Sequence, residues 1–315
     1  MIDQRIVCTY LYLITRYGYP PPAKDTIAHL GEMKRLGFRS VELEGIREEH
    51  LLEMHDLRHQ IAAELQRLSL EVPYFCAVLP GLTSREKSER KRQLKLFEKG
   101  CEVARAVNAR GILDNAPLPP YVFPEDIPVV RHYSEDVLIS ASFPGDLTWK
   151  QFWDYLVETL REACDIAGSF DLTYQLHPSI GVLSANADGF LYLNDAVGRE
   201  NLRFNLDTAN QFVMKENLPI SIRRLAGYID YIHVSDARGH KVEHLEPGHG
   251  SIRWSAVFDA LKETDFNGLM GLDVGGDESL IADLDEAYLS SARWLTENWA
   301  FPEGAADPQG KLEWS

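Results

Sequence analysis

Four short apolar runs of this chain end in residues that can coordinate or carry protons. One closes on Tyr174-Gln175-Leu176-His177, the next on Asn205-Leu206-Asp207, a third on Ile232-His233-Val234-Ser235-Asp236, and the last on Leu272-Asp273. Side chains alternate along a strand, so Gln175 shares a face with His177 and Asn205 shares one with Asp207. If these faces meet, Gln175, Asp207, His233 and Asp273 form a set of two carboxylates, one imidazole and one amide. Such a set suits one divalent ion, Mn2+ first, with Mg2+ or Co2+ as alternatives, and it lacks the thiolates of a structural zinc site. Each residue also has an ordinary reading, because a carboxylate at a strand end commonly caps a turn and a strand histidine commonly just hydrogen-bonds. The case for a metal rests on four such residues ending four consecutive runs. His177 adds an imidazole, which titrates near neutral pH and suits general acid–base work or substrate hydrogen bonding.

Parallel strands must position these residues. The β-rich runs are 5–10, 40–44, 71–78, 109–114, 172–177, 202–207, 228–235 and 268–274, each followed by a helical stretch. The helix predicted over Thr26–Leu36 stops at Gly37. Thr83 with Glu86 and Thr148 with Gln151 read as capping boxes. The second opens a helix to about Gly168 whose apolar positions Phe152, Leu156 and Leu160 recur at helical spacing. Eight alternating βα units predict an α/β fold, a (β/α)8 barrel in one domain over 1–301. The oversized step at 114–147, rich in proline and aromatics, leaves the active-site end of the fourth strand. It reads as a lid, a partner surface or a plain insertion. Residues 302–315 have the composition of a tail.

With 48 acidic and 32 basic residues the chain carries a net charge of −16, which argues against nucleic-acid binding. No run of about 18 apolar residues spans a membrane and the start carries no secretory signal. Cys8, Cys76, Cys101 and Cys164 show no paired spacing, as expected of buried thiols in a cytoplasmic protein.

The sequence resembles the xylose-isomerase-like barrel superfamily, in particular its sugar phosphate isomerase/epimerase-like proteins. The matching segments are Val41-Glu42-Leu43, Asn205-Leu206-Asp207-Thr208-Ala209-Asn210, His233-Val234-Ser235-Asp236, and Pro247-Gly248-His249-Gly250-Ser251-Ile252-Arg253-Trp254. The resemblance implies one divalent metal held by strands five to eight, with glutamates at the first and last positions. Here Gln175 and Asp273 replace those glutamates, while Asp207 and His233 keep the family's types. An amide cannot titrate, so a proton shuttle between two glutamates is not available. His177 is the natural replacement base, and Asp273 either binds the metal, acts through a water, or joins the proton transfer. Substrate-side candidates are Glu44, Arg238, His249 and Asn210. For Arg238 the alternative is a salt bridge, for His249 a turn, and for Glu44 and neighbouring Glu42 a pairing with a basic residue.

The resemblance further implies a small-molecule sugar or glycoside substrate and a homo-oligomer, in some relatives with a small partner subunit. The expected activity is isomerisation or epimerisation of a sugar or keto-sugar. Eliminative cleavage of a 3-keto-glycoside with His177 as base, phosphodiester hydrolysis as in related repair endonucleases, and a barrel that has lost its chemistry are the alternatives.

Overall fold

The computed structural model describes residues 2–115, 118–124 and 133–302. Ten strand segments make two parallel sheets: β2 (Ser40–Val41), β1 (Ile6–Cys8), β10 (Leu269–Leu272), β9 (Tyr231–Val234) and β8 (Leu206–Asp207) form one. The other runs through β3 (Leu43–Ile46), β4 (Tyr74–Val78), β5 (Gly111–Asp114), β6 (Thr173–Leu176) and β7 (Leu202–Phe204). Segments β2 and β3 are one stave divided at Glu42, and β7 and β8 are one divided at Asn205. Hydrogen bonding continues through both divisions, since Glu42 N donates to Cys8 O at 2.8 Å and Asn205 N to Leu176 O at 3.0 Å. The two sheets therefore close into a cylinder of eight staves, as the βα rhythm predicts.

Each stave is buried on both faces, and the alternation sorts its residues into two cores. Ile6, Phe75, Ile112, Tyr174 and Met270 face outward into the helix layer. Val7, Tyr74, Cys76, Leu113, Tyr231 and Leu269 fill the interior. Tyr74 and Tyr231 stack there with centroids 4.6 Å apart and planes 11° from parallel. The second ring needs Gly271 beside it, because a Cβ at that position would lie 2.4 Å from the Tyr231 hydroxyl.

The helices include α1 (Leu11–Tyr17), α2 (Thr26–Arg35), α3 (Arg47–Leu68), α4 (Lys87–Ala106), α5 (Glu135–Ser140) and α6 (Trp149–Ser169). After them come α7 (Ala187–Val197), α8 (Thr208–Val213), α9 (Leu218–Arg224), α10 (Trp254–Glu263) and α11 (Leu284–Asn298). Helix α2 ends as predicted, with Gly37 at φ 96° beyond it. Helix α6 opens on the full Thr148–Gln151 capping box and buries Phe152, Leu156 and Leu160. The Thr83–Glu86 box does not form. Thr83 closes a 3-10 turn and donates its hydroxyl to Leu118 O, so α4 starts at Lys87 with no side-chain cap. The described part of 114–147 carries α5, capped by Ser134, and an antiparallel bridge between Val122 and Ser142. The rest of that insertion, 116–117 and 125–132, and tail residues 303–315 lie outside the described residues. All four cysteines are buried free thiols. Among the described residues no helix is long and apolar enough to cross a membrane.

At the lower end of the interior Gln175 donates its amide to Asp230. Removal from water lifts the Asp230 carboxyl to about 6, against a lowering by Arg203. The folded chain thus keeps a proton that the unfolded chain releases, and this contribution to stability declines as pH rises from about 4 to about 6. Asp230→Asn keeps an acceptor for Gln175 and removes the titration. Urea midpoints of the variant should lose that decline, whereas an unchanged slope would place the titration elsewhere.

Candidate functional site

The chemistry predicted for the strand ends gathers at the C-terminal rim, where barrel sites sit. Asp207 closes β8 and caps α8 at once. Its Oδ1 accepts from Asn210 N at 2.7 Å, while Oδ2 lies 3.0 Å from His177 Nε2. The capping role and the site role thus coexist, one oxygen to each. Burial alone would raise the Asp207 carboxyl. The hydrogen bond from His177 and the fields of His177, His244 and His233 overcome that and hold it well below the usual carboxylate range.

His233, on β9, points inward beside His177, with ring centroids 5.0 Å apart. Its Nε2 meets Glu42 Oε2 at 3.0 Å, and its Nδ1 is buried without a hydrogen-bond partner. Despite the cost of burial, the Glu42 carboxylate raises the imidazole to about 9. Asp273, just past β10, accepts from Thr9 Oγ1 at 3.1 Å and faces His244 Nε2 at 3.3 Å. The other nitrogen of His244 lies 3.2 Å from Glu278 Oε1. Among the described residues, potential ligand atoms of His177, Asp207 and His233 lie within 4.8 Å of one another, and so do those of Asp207, His244 and Asp273. Asp207 belongs to both groups.

His244 rides on the loop between β9 and α10, which one buried carboxylate pins. Asp236 accepts from Ala237 N, Gly248 N and Trp254 Nε1 at 2.8–2.9 Å and from Ile252 N at 3.2 Å. Its backbone pairs with Leu245 in both directions, and Gly275 N donates to His244 O at 3.0 Å. A Cβ on Gly250 would lie 2.2 Å from Asp236 Oδ1. The Pro-Gly-x-Gly segment is thus the wrapping of a carboxylate, and it sets the histidine beside Asp273.

Above the rim a cavity is lined by the apolar side chains of Leu11, Ile14, Val78, Leu118 and Ile180, and by Glu44, His177, His233, His244 and Asp273 among its polar groups. Asp114 also borders it. Burial pushes its carboxyl up to about 7, although Tyr174 donates to it at 2.8 Å.

Of the sequence-predicted residues, His177, Asp207, His233, Asp273 and Glu44 are brought together. Gln175 is not. It points inward as expected but one layer lower, where its amide serves Asp230, so it stands apart from the groups at the rim. Arg238 turns outward, its side chain 60% exposed, and pairs with Glu243. His249 is 63% exposed and pairs with Glu246 at 3.0 Å, a turn histidine rather than a cavity residue. Asn210 is buried behind Asp207, contributing its backbone N–H to the cap. Sequence reasoning missed His244, because it sits on a loop and not at a strand end. The partner of Glu42 is His233, 191 residues away and therefore invisible to local spacing.

Glu42 accepts from Nε2 of His233, so Nδ1 is the nitrogen whose proton an ion would displace. Outer carboxylates of this kind are worth about 10–100-fold in metal affinity. If His233 holds an ion, Glu42→Gln should weaken its binding by about that factor, read by chelator competition. Unchanged affinity would detach His233 from the ion.

A family model described as "xylose isomerase-like TIM barrel" matches residues 30–298. An L-ribulose 3-epimerase of Mesorhizobium japonicum is 32% identical over 114 residues, 35% of this chain and 36% of that protein. The chain spans between about a third and a half of the length of the curated relatives it matches. Among solved structures, 3-keto-D-glucoside 4-epimerase from E. coli superposes with a TM-score of 0.71 at 16% identity, covering 94% of this chain and 100% of that one. The IOLI protein with a bound zinc atom superposes with a TM-score of 0.69 at 16% identity, covering 96% and 100%.

Proposed function

The chain belongs to the xylose isomerase-like TIM barrel family, and from that premise we propose that it is a divalent-metal-dependent epimerase or isomerase acting next to the carbonyl of a sugar or keto-sugar. The observation that carries this reading is that His177, His233 and Asp273 line one cavity, with buried Asp207 within ligand distance of each of them. A metal fits the donor set, since the buried Nδ1 of His233 has no hydrogen-bond partner and the Asp207 carboxylate lies within reach of the same ion. Asp207, His233 and Asp273 would hold the ion. When bound, it supplies Lewis acidity toward a substrate oxygen.

The protein's own residues handle the proton. Asp207 accepts from His177 Nε2, which selects the tautomer with a bare lone pair on Nδ1. That nitrogen is buried and unpartnered, as a base needs to be before substrate arrives. His177 therefore removes the proton beside the carbonyl. Asp273 stands three staves round the barrel and returns a proton from another side. Glu44 contributes a carboxylate to the cavity wall for substrate hydroxyls.

The test follows free ketoses and 3-keto-glycosides by NMR in deuterium oxide. The expected result is a new epimer or isomer carrying solvent deuterium at the carbon next to the carbonyl. Absence of exchange with every substrate in the metal-loaded protein sinks the proposal. The apolar part of the cavity lining favours a second reading, eliminative cleavage of a 3-keto-glycoside, because Leu11, Ile14, Leu118 and Ile180 suit an apolar aglycone better than a free ketose. Release of aglycone without epimer would select it.

A further inference from the structure

We propose that His244 is the fourth protein ligand of the metal, taking the place expected of Gln175, and that the resulting pair of imidazoles and pair of carboxylates selects a zinc-class transition ion over Mg2+. The inference rests on the metal reading above and deepens it.

His244 shows the arrangement of a ligating imidazole. Glu278 on one side holds Nδ1 at 3.2 Å, and the other nitrogen faces Asp273 Oδ2 at 3.3 Å in a fully buried setting. A carboxylate behind the far nitrogen fixes the tautomer that turns a lone pair toward an ion. Glu42 does the same for His233 with the nitrogens exchanged. Two cavity-lining histidines are thus each backed by a carboxylate, His233 by Glu42 and His244 by Glu278. Asp207 links them, since its carboxylate lies within ligand distance of His233 in one candidate group and of His244 and Asp273 in the other. Gln175 is engaged with Asp230 below.

This changes the chemistry of the donor set. With Gln175 the ion would have three oxygens and one nitrogen. With His244 it has two of each, and imidazole donors shift preference from Mg2+ toward Zn2+ and Co2+. It also leaves His177 outside the ligand set and available for the proton.

The full chain, stripped with chelator, is titrated with Zn2+, Co2+, Mn2+ and Mg2+ against a chromogenic chelator, and the visible spectrum of the Co2+ form is recorded. The unaltered chain should take one Zn2+ or Co2+ at least about 1,000-fold more tightly than Mg2+. His244→Ala should weaken Zn2+ by about 100-fold or more and alter the Co2+ spectrum. Glu278→Gln, which leaves the imidazole in place, should weaken Zn2+ about 10-fold. His244→Asp should recover binding while moving preference toward Mn2+ and Mg2+, a shift that a merely structural histidine would not produce. If Zn2+ affinity and Co2+ spectrum survive His244→Ala, the assignment of His244 is overturned and the metal reading stands. If the unaltered chain takes up no ion, both fall.

Discussion

Asp207→Asn should abolish ion binding and lower kcat/KM by at least about 1,000-fold, which is about 4 kcal/mol of transition-state stabilisation. Asp207 is the one residue common to both candidate ligand groups, and its Oδ2 also orients His177. Asparagine is chosen because its side-chain oxygen can still accept from Asn210 N and keep α8 capped. Alanine would add a capping loss of about 1 kcal/mol and confuse folding with function. The measurements are metal content by elemental analysis, turnover, and thermal midpoint. Full metal content with full turnover would remove Asp207 from the site.

His177→Asn is the second large effect, with kcat expected to fall by about 100- to 10,000-fold, the usual span for a positioned base. Unlike the Asp207 variant, it should retain its ion, because the proposal assigns His177 to proton transfer. Exchange of substrate hydrogen with deuterium oxide should fall with turnover. Loss of the ion would instead make His177 a ligand, and undiminished exchange would end its role as base. The double variant with Asp207→Asn should cost less than the product of the two, because one removed group orients the other.

Much of this was legible in the amino acids. The spacing of apolar runs forecast eight staves, and their polar ends forecast Asp207, His233, Asp273 and His177 at one rim. Alternation also put Gln175 on the inward face. Its height could not be read, because height depends on the stagger between staves, and Gln175 proved level with Leu113 and Arg203. His244 escaped because a loop residue has no periodicity to place it. Only the folding of Asp236 onto Gly248, Ile252 and Trp254 brings it inward. Arg238 and His249 looked like substrate contacts in the chain, yet each found a nearby glutamate at the surface.

The clasp at Asp236 has an architectural consequence. Both ends of the segment that bears His244 are tied to a single carboxylate, so the span between Ala237 and Glu243 can grow or shrink while its anchor points stay fixed. A cylinder built this way can exchange one donor for another by insertion or deletion in a turn, leaving every stave untouched.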